Sequence, residues 1–222
     1  MSFNINDLET GDMLLFSPST KTEHGIMKYL DWMIQSATDS SYTHVAFVLK
    51  DPTFIHPVLK GLYIWESSYE GTPDPQDDKI KFGVQITPLH QCIQNFNGKI
   101  FVRKMTKGEN SITSEKLQKI HNIVYDKPYD IMPTDWIQAW VRKDYSPQKT
   151  DRFWCSALVS YILVKLGMLD STLDWSMIRP SDLSSSSNYL KFTDSCCYGD
   201  DTCLSYTDED LKPDKRHRRL PF

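Results

Sequence analysis

The sequence predicts an α+β domain, an antiparallel sheet or small barrel packed against helices, followed by a short polar tail. Three observations carry that expectation. Five short runs rich in β-branched and aromatic residues fall between residues 8 and 107. Four segments space their apolar residues as helices do, and three of these come after residue 110. Beyond residue 185 the chain turns polar and charged. Strands grouped first and helices grouped later are the pattern of an α+β fold.

Taken in order, "LETGDMLLF" (8–16) reads as a turn and then a short strand. In "HGIMKYLDWMIQSAT" (24–38), Ile26, Met27, Leu30, Met33 and Ile34 form a helical stripe. "YTHVAFVL" (42–49) and "GLYIWESS" (61–68) read as strands, joined by a connection that two prolines break. "EGTPDPQDDK" (70–79) is a polar, proline-rich loop, and "FGVQITPL" and "GKIFVRKM" are two more strands. "SEKLQKIHNIVYD" (114–126) places Leu117, Ile120, Ile123 and Val124 on one helical face. "PTDWIQAWV" (133–141) is a short helix with Thr134 as N-cap. The last helix is "TDRFWCSALVSYILVKLG" (150–167), with Thr150 or Asp151 as its expected cap and a glycine at its end. Residues 1–185 are expected to form the domain. Residues 186–222 are expected to be a loosely packed tail whose acids and bases nearly cancel, although its last eight residues are basic.

Composition excludes several classes of function. The 222 residues carry a net charge of −4, with no basic stripe of the kind nucleic acid requires. The longest apolar-rich run, about ten residues at 155–164, is half of the roughly twenty that a spanning helix needs. A peripheral membrane contact is left open. The amino terminus shows no secretory signal. The five cysteines, Cys92, Cys155, Cys196, Cys197 and Cys203, are odd in number and contain no C-x-x-C pair. Free thiols in a reducing, cytoplasmic setting are therefore expected, without a disulfide framework, a metal or another cofactor.

Cys155 lies in the first turn of its expected helix, where the partial positive charge of the helix end favours a thiolate and free N–H groups can bind an oxyanion. Core packing is the competing reading, because Cys155, Leu158, Val159 and Ile162 share one face. Strand alternation places His44 on a face with Tyr42, Ala46 and Val48, where a rigid sheet would hold a general base. The other histidines, His24, His56, His90, His121 and His217, sit at element ends, in a connection, on a helix or in the tail. Glu66 shares a strand face with Leu62 and Ile64, and an acid there needs a partner. If the two strands pair, Glu66 approaches His44 and can orient its ring.

Together, "GDMLLF", "YTHVAFVL", "YIWES", "KPYD" and "FWCSALVSYIL" resemble the circularly permuted NlpC/P60 branch of the papain-like superfamily. Within it they resemble the YiiX-like cysteine hydrolases and their relatives in poxviruses and other large DNA viruses. The resemblance covers residues 8–185 and implies His44 as base, Glu66 as orienting residue and Cys155 as nucleophile, the last on the amino-terminal turn of a late helix. Gly11 and Asp12 match the opening turn, Pro128, Tyr129 and Asp130 the segment before the cysteine helix, and Pro180, Asp182 and Leu183 a closing element. It implies an acyl hydrolase of amidase, peptidase or thioesterase type acting on a small peptide, amide or lipid acyl substrate, packaged in a virion if the source is viral. Two alternatives stand beside it. One is a lipid acyltransferase or phospholipase of the lecithin:retinol acyltransferase kind, in which a histidine usually stands where this chain has Glu66. The other is a papain-like scaffold used only for binding or as a virion module. Tyr42 and Tyr129 are further candidates to assist, with packing an equally strong reading of each.

Overall fold

A computed structural model describes residues 2–19, 41–130 and 150–212. The helices expected at 24–38 and 133–141, most of the connection 142–150 and the basic end of the tail lie outside the described residues. Seven strands form one mixed, open sheet: β1 Ser2–Asn4, β2 Met13–Pro18, β3 His44–Lys50, β4 Leu62–Ser68, β5 Gly83–Pro88, β6 Gly98–Lys107 and β7 Cys197–Ser205. Their order is β1-β7-β6-β2-β3-β4-β5. Every neighbouring pair is antiparallel except β1 with β7. The architecture is α+β as expected, with an open sheet and not a closed barrel. Its three described α-helices are α1 Leu89–Asn95, α2 Ser114–Val124 and α3 Cys155–Lys165.

Both faces of the sheet are covered, which is why its central strands read as unbroken apolar runs. On one face Val45, Phe47 and Leu49 with Tyr63 and Trp65 pack against Leu158, Val159 and Ile162 of α3 and Leu117, Ile120 and Val124 of α2. On the other, Ala46, Val48 and Ile64 pack against Leu89, Cys92 and Ile93 of α1 and against Ile5 and Leu8. The turn ahead of β2 needs glycine: Gly11 has φ +107°, and an added Cβ would meet Ile112 Cδ1 at 2.5 Å. Asp12 beside it is buried and accepts from the backbone N–H groups of Glu9 and Met105, while Lys104 Nζ lies 2.9 Å away.

Two expectations need correction. Residues 186–212 are not a loose tail, because β7 lies inside the sheet between β1 and β6. Its sequence, "CYGDDTCLS", has no apolar alternation because polar contacts anchor it. Asp201 accepts from Tyr42 Oη at 3.1 Å, Ser184 Oγ at 2.6 Å and Ser185 N at 2.9 Å. Tyr198 Oη donates to the Gly11 carbonyl at 2.7 Å. Helix α3 is the second correction: it begins at Cys155, with Trp154 as N-cap and no side-chain cap, and not at Thr150 or Asp151. Phe153 is held in extended backbone by a parallel bridge to Tyr129, so helical winding cannot start earlier.

The "EGTPDPQDDK" loop is tied down by a buried polar cluster. Asp74 Oδ2 lies 2.8 Å from Lys81 Nζ, and Gln76 reaches back to His121 Nε2 at 2.7 Å. The His121 ring packs against Trp65 and Phe54. Burial, with the Lys81 charge, lowers the His121 pKa from 6.5 to about 4. The folded chain keeps this ring neutral between pH 6.5 and 4 while the unfolded chain binds a proton, so acidification across that window favours unfolding. Urea unfolding at pH 7 and pH 4.5 is expected to show His121→Gln losing less stability on acidification than the wild type. The difference should be on the order of 2 kcal/mol. Equal losses would place the His121 ring in an ordinary, solvated setting.

Candidate active site

The β3–β4 ladder runs from Lys50↔Leu62 to Phe47↔Trp65 and stops there. Beyond it, His44, Val45 and Ala46 pair with β2, while Glu66, Ser67 and Ser68 pair with β5. The sheet thus opens between β3 and β4, and the candidate residues meet at this opening. His44 is the first residue of β3 and Phe16 is its cross-strand partner, with the two rings 5.1 Å apart.

Glu66 is fully buried. Its two carboxylate oxygens have separate partners: Oε2 lies 2.8 Å from His44 Nε2, and Oε1 accepts from Thr87 Oγ1 at 2.5 Å. A buried carboxylate is tolerated when it is paired and hydrogen-bonded in this way. With Nε2 turned to Glu66, His44 has Nδ1 left over, and the Cys155 side chain lies near enough to act on the charge of the ring. Burial acts to lower the His44 pKa. Interaction with Cys155, and then with Glu66, outweighs it, so the imidazole stands well above its ordinary value.

Cys155 is 2% exposed and is the first residue of α3. The first backbone bond of this turn runs from Leu158 N to the Trp154 carbonyl. The N–H groups before it lie at the uncapped, electropositive end of the helix. Two bonds clamp the chain on either side of the thiol. Ser67 Oγ donates to the Phe153 carbonyl at 2.6 Å, and Ser156 Oγ donates to the Ile178 carbonyl at 2.6 Å. The motif pieces around the site supply these anchors. Pro128 bridges to Gly83 and Tyr129 to Phe153, attaching the approach to α3 to the edge of β5. The crossing is tight, since a Cβ on Gly83 would meet the Lys127 carbonyl at 2.2 Å. Pro180, Asp182 and Leu183 form a short 3-10 turn, in which the Asp182 carboxylate accepts from Arg179 N.

The structure therefore brings His44, Glu66 and Cys155 together. It gives Tyr42 and Tyr129 other work: Tyr42 donates to Asp201, and Tyr129 stacks on Phe82 at 5.0 Å. Thr87 escaped the sequence reading. Its signal was present in "GVQITP", where the polar residues Gln85 and Thr87 alternate with apolar ones and Gln85 stands opposite Glu66. Among the described residues no group of three or more His, Cys, Asp and Glu side chains could hold a metal ion. Among them, too, no helix is long and apolar enough to cross a membrane.

No protein-family model matches the chain, and no curated protein matches it either. Among solved structures it is similar to the metalloprotein YiiX (DUF1105) of Escherichia coli O157:H7, at 21% identity and a TM-score of 0.37. The likeness covers 71% of this chain, and the chain spans 66% of that one. It is too distant to transfer a fold family or an activity.

The pairing of His44 with Glu66 is open to a direct check. His44→Ala leaves a buried carboxylate with Thr87 as its remaining partner, and urea unfolding at pH 7 should show a loss of about 3 kcal/mol. A loss below about 1 kcal/mol, the range of an exposed pair, would mean that the bond is not buried.

Proposed function

We propose that the chain is a cysteine-dependent acyl hydrolase of the permuted papain-like kind, with Cys155 as nucleophile, His44 as base and Glu66 as orienting residue. One observation carries this reading: the His44 ring is hydrogen-bonded to a buried carboxylate through Nε2 and lies close enough to the helix-terminal Cys155 side chain for the two to interact electrostatically. Raising the imidazole pKa favours transfer of the thiol proton to His44 Nδ1.

In the first step the Cys155 Sγ forms a bond to the carbonyl carbon, and the carbonyl π electrons move onto oxygen. The Cys155 backbone N–H, at the uncapped start of α3, is the first donor to that oxyanion. Collapse expels the leaving amine, alcohol or thiol, which takes the proton from His44. Water then attacks the acyl-enzyme with His44 as base, releasing the carboxylic acid and restoring the Cys155 thiol. Glu66 keeps Nε2 protonated and stabilises the imidazolium throughout.

Iodoacetamide, a small electrophile suited to a buried thiol, tests the nucleophile. At pH 7, peptide mapping should show Cys155 alkylated about tenfold or more faster than the exposed Cys197. Against a panel of amide, ester and thioester acyl substrates, Cys155→Ala should abolish turnover. His44→Ala should lower it by roughly 100- to 10,000-fold. Labelling of Cys155 no faster than Cys197 would overturn the hydrolase reading and favour a binding scaffold.

A further inference from the structure

A second carboxyl group borders the candidate triad. Period-2 alternation along β4 puts Glu66 and Ser68 on one face, and the same period carried past the strand end reaches Glu70. Ser68 Oγ donates to Glu70 Oε1 at 3.2 Å and itself accepts from Gln85 Nε2 at 2.8 Å. Ser68 and Gln85 are both buried, and Gln85 is the cross-strand neighbour of Glu66. Two buried polar side chains thus form a directed chain of donors ending on the Glu70 carboxyl. Glu70 itself is half-buried, two residues past the end of β4.

We propose that Glu70 is a positioning residue for the His44–Glu66 pair, a second carboxyl held by Ser68, itself fixed by Gln85, whose ionisation sets how firmly His44 keeps its proton. Among the described residues, the charged groups that act on Glu70 are Glu66 on β4 and His44 on β3. Ser68 is its neutral hydrogen-bond partner and is held in turn by Gln85, and the Cys92 thiol of α1 lies within the field of both carboxylates. Repulsion by Glu66, and then burial, raise the Glu70 pKa to about 7, while His44 and the Ser68 hydrogen bond act to lower it. Below that pH the group is neutral and Glu66 alone faces the imidazole. Above it a second negative charge appears and favours the imidazolium. The device holds the protonated state of His44 in place as the solution becomes more alkaline.

The proposal rests on reading His44 as the base, but its test reads protonation and not turnover. In the full-length protein, NMR would follow the Glu70 side-chain carboxyl and the His44 ring nitrogens from pH 4 to 10. The carboxyl is expected to titrate near pH 7, with a displacement of the His44 signals at the same midpoint. Glu70→Gln should abolish that displacement and lower the pH at which His44 loses its proton by on the order of half a unit, about a threefold change in the equilibrium. Ser68→Ala removes the donor, so it should move the Glu70 midpoint upward. This variant gives an independent answer if Glu70→Gln does not fold. A Glu70 midpoint in the ordinary carboxylate range, a His44 displacement that persists in Glu70→Gln, or an unmoved midpoint in Ser68→Ala would each overturn the proposal. An unreactive Cys155 alongside a Glu70 midpoint near 7 would sink the hydrolase reading and leave the carboxyl coupling standing.

Discussion

The 2.8 Å contact between His44 and Glu66 is the constraint around which the site is organised. A carboxylate with no exposure to water is tolerated only where it is paired and hydrogen-bonded. Glu66 meets that demand with a ring from β3 and a hydroxyl from β5. The contact spans the sheet at the place where the β3–β4 backbone ladder has ended. Side-chain bonding thus takes over where main-chain bonding stops.

The helix is fixed to this opening from both directions. Ser67, next to Glu66 but on the other face of β4, holds the Phe153 carbonyl, and Ser156 holds the Ile178 carbonyl just after the thiol. The apolar body of α3, through Leu158, Val159 and Ile162, supplies the burial that keeps the helix against the sheet. Packing and placement are therefore divided along one helix: its interior belongs to the core, and its first turn is set by hydrogen bonds to two separate segments.

Much of this was legible in the sequence because the period of a strand is two. Alternation alone put His44 with Ala46 and Val48, and Glu66 with Ile64, on the face that the structure assigns to them. Where tertiary contacts decide, local patterns failed. Asp151 is a good capping residue by composition, yet the bridge of Phe153 to Tyr129 delays the helix to Cys155. β7 carries no apolar alternation, since Asp201 and Tyr198 anchor it by hydrogen bonds, and a strand of this kind resembles a loop. The Ser68–Gln85 contact crosses strands, so its geometry depends on a register that no local pattern prints.

The parallel pairing of β1 with β7 also bears on the order in which the sheet assembles. Strands β2 to β5 are joined in sequence order across one half of the sheet. β1, by contrast, has β7 as its sheet neighbour, with Ser2 opposite Cys203, a loop of roughly 200 residues whose closure cost grows only as the logarithm of its length. During synthesis, β1 must wait for β7 before it can pair. Until then β6 presents an unpaired edge, the kind of surface on which a nascent chain meets other chains.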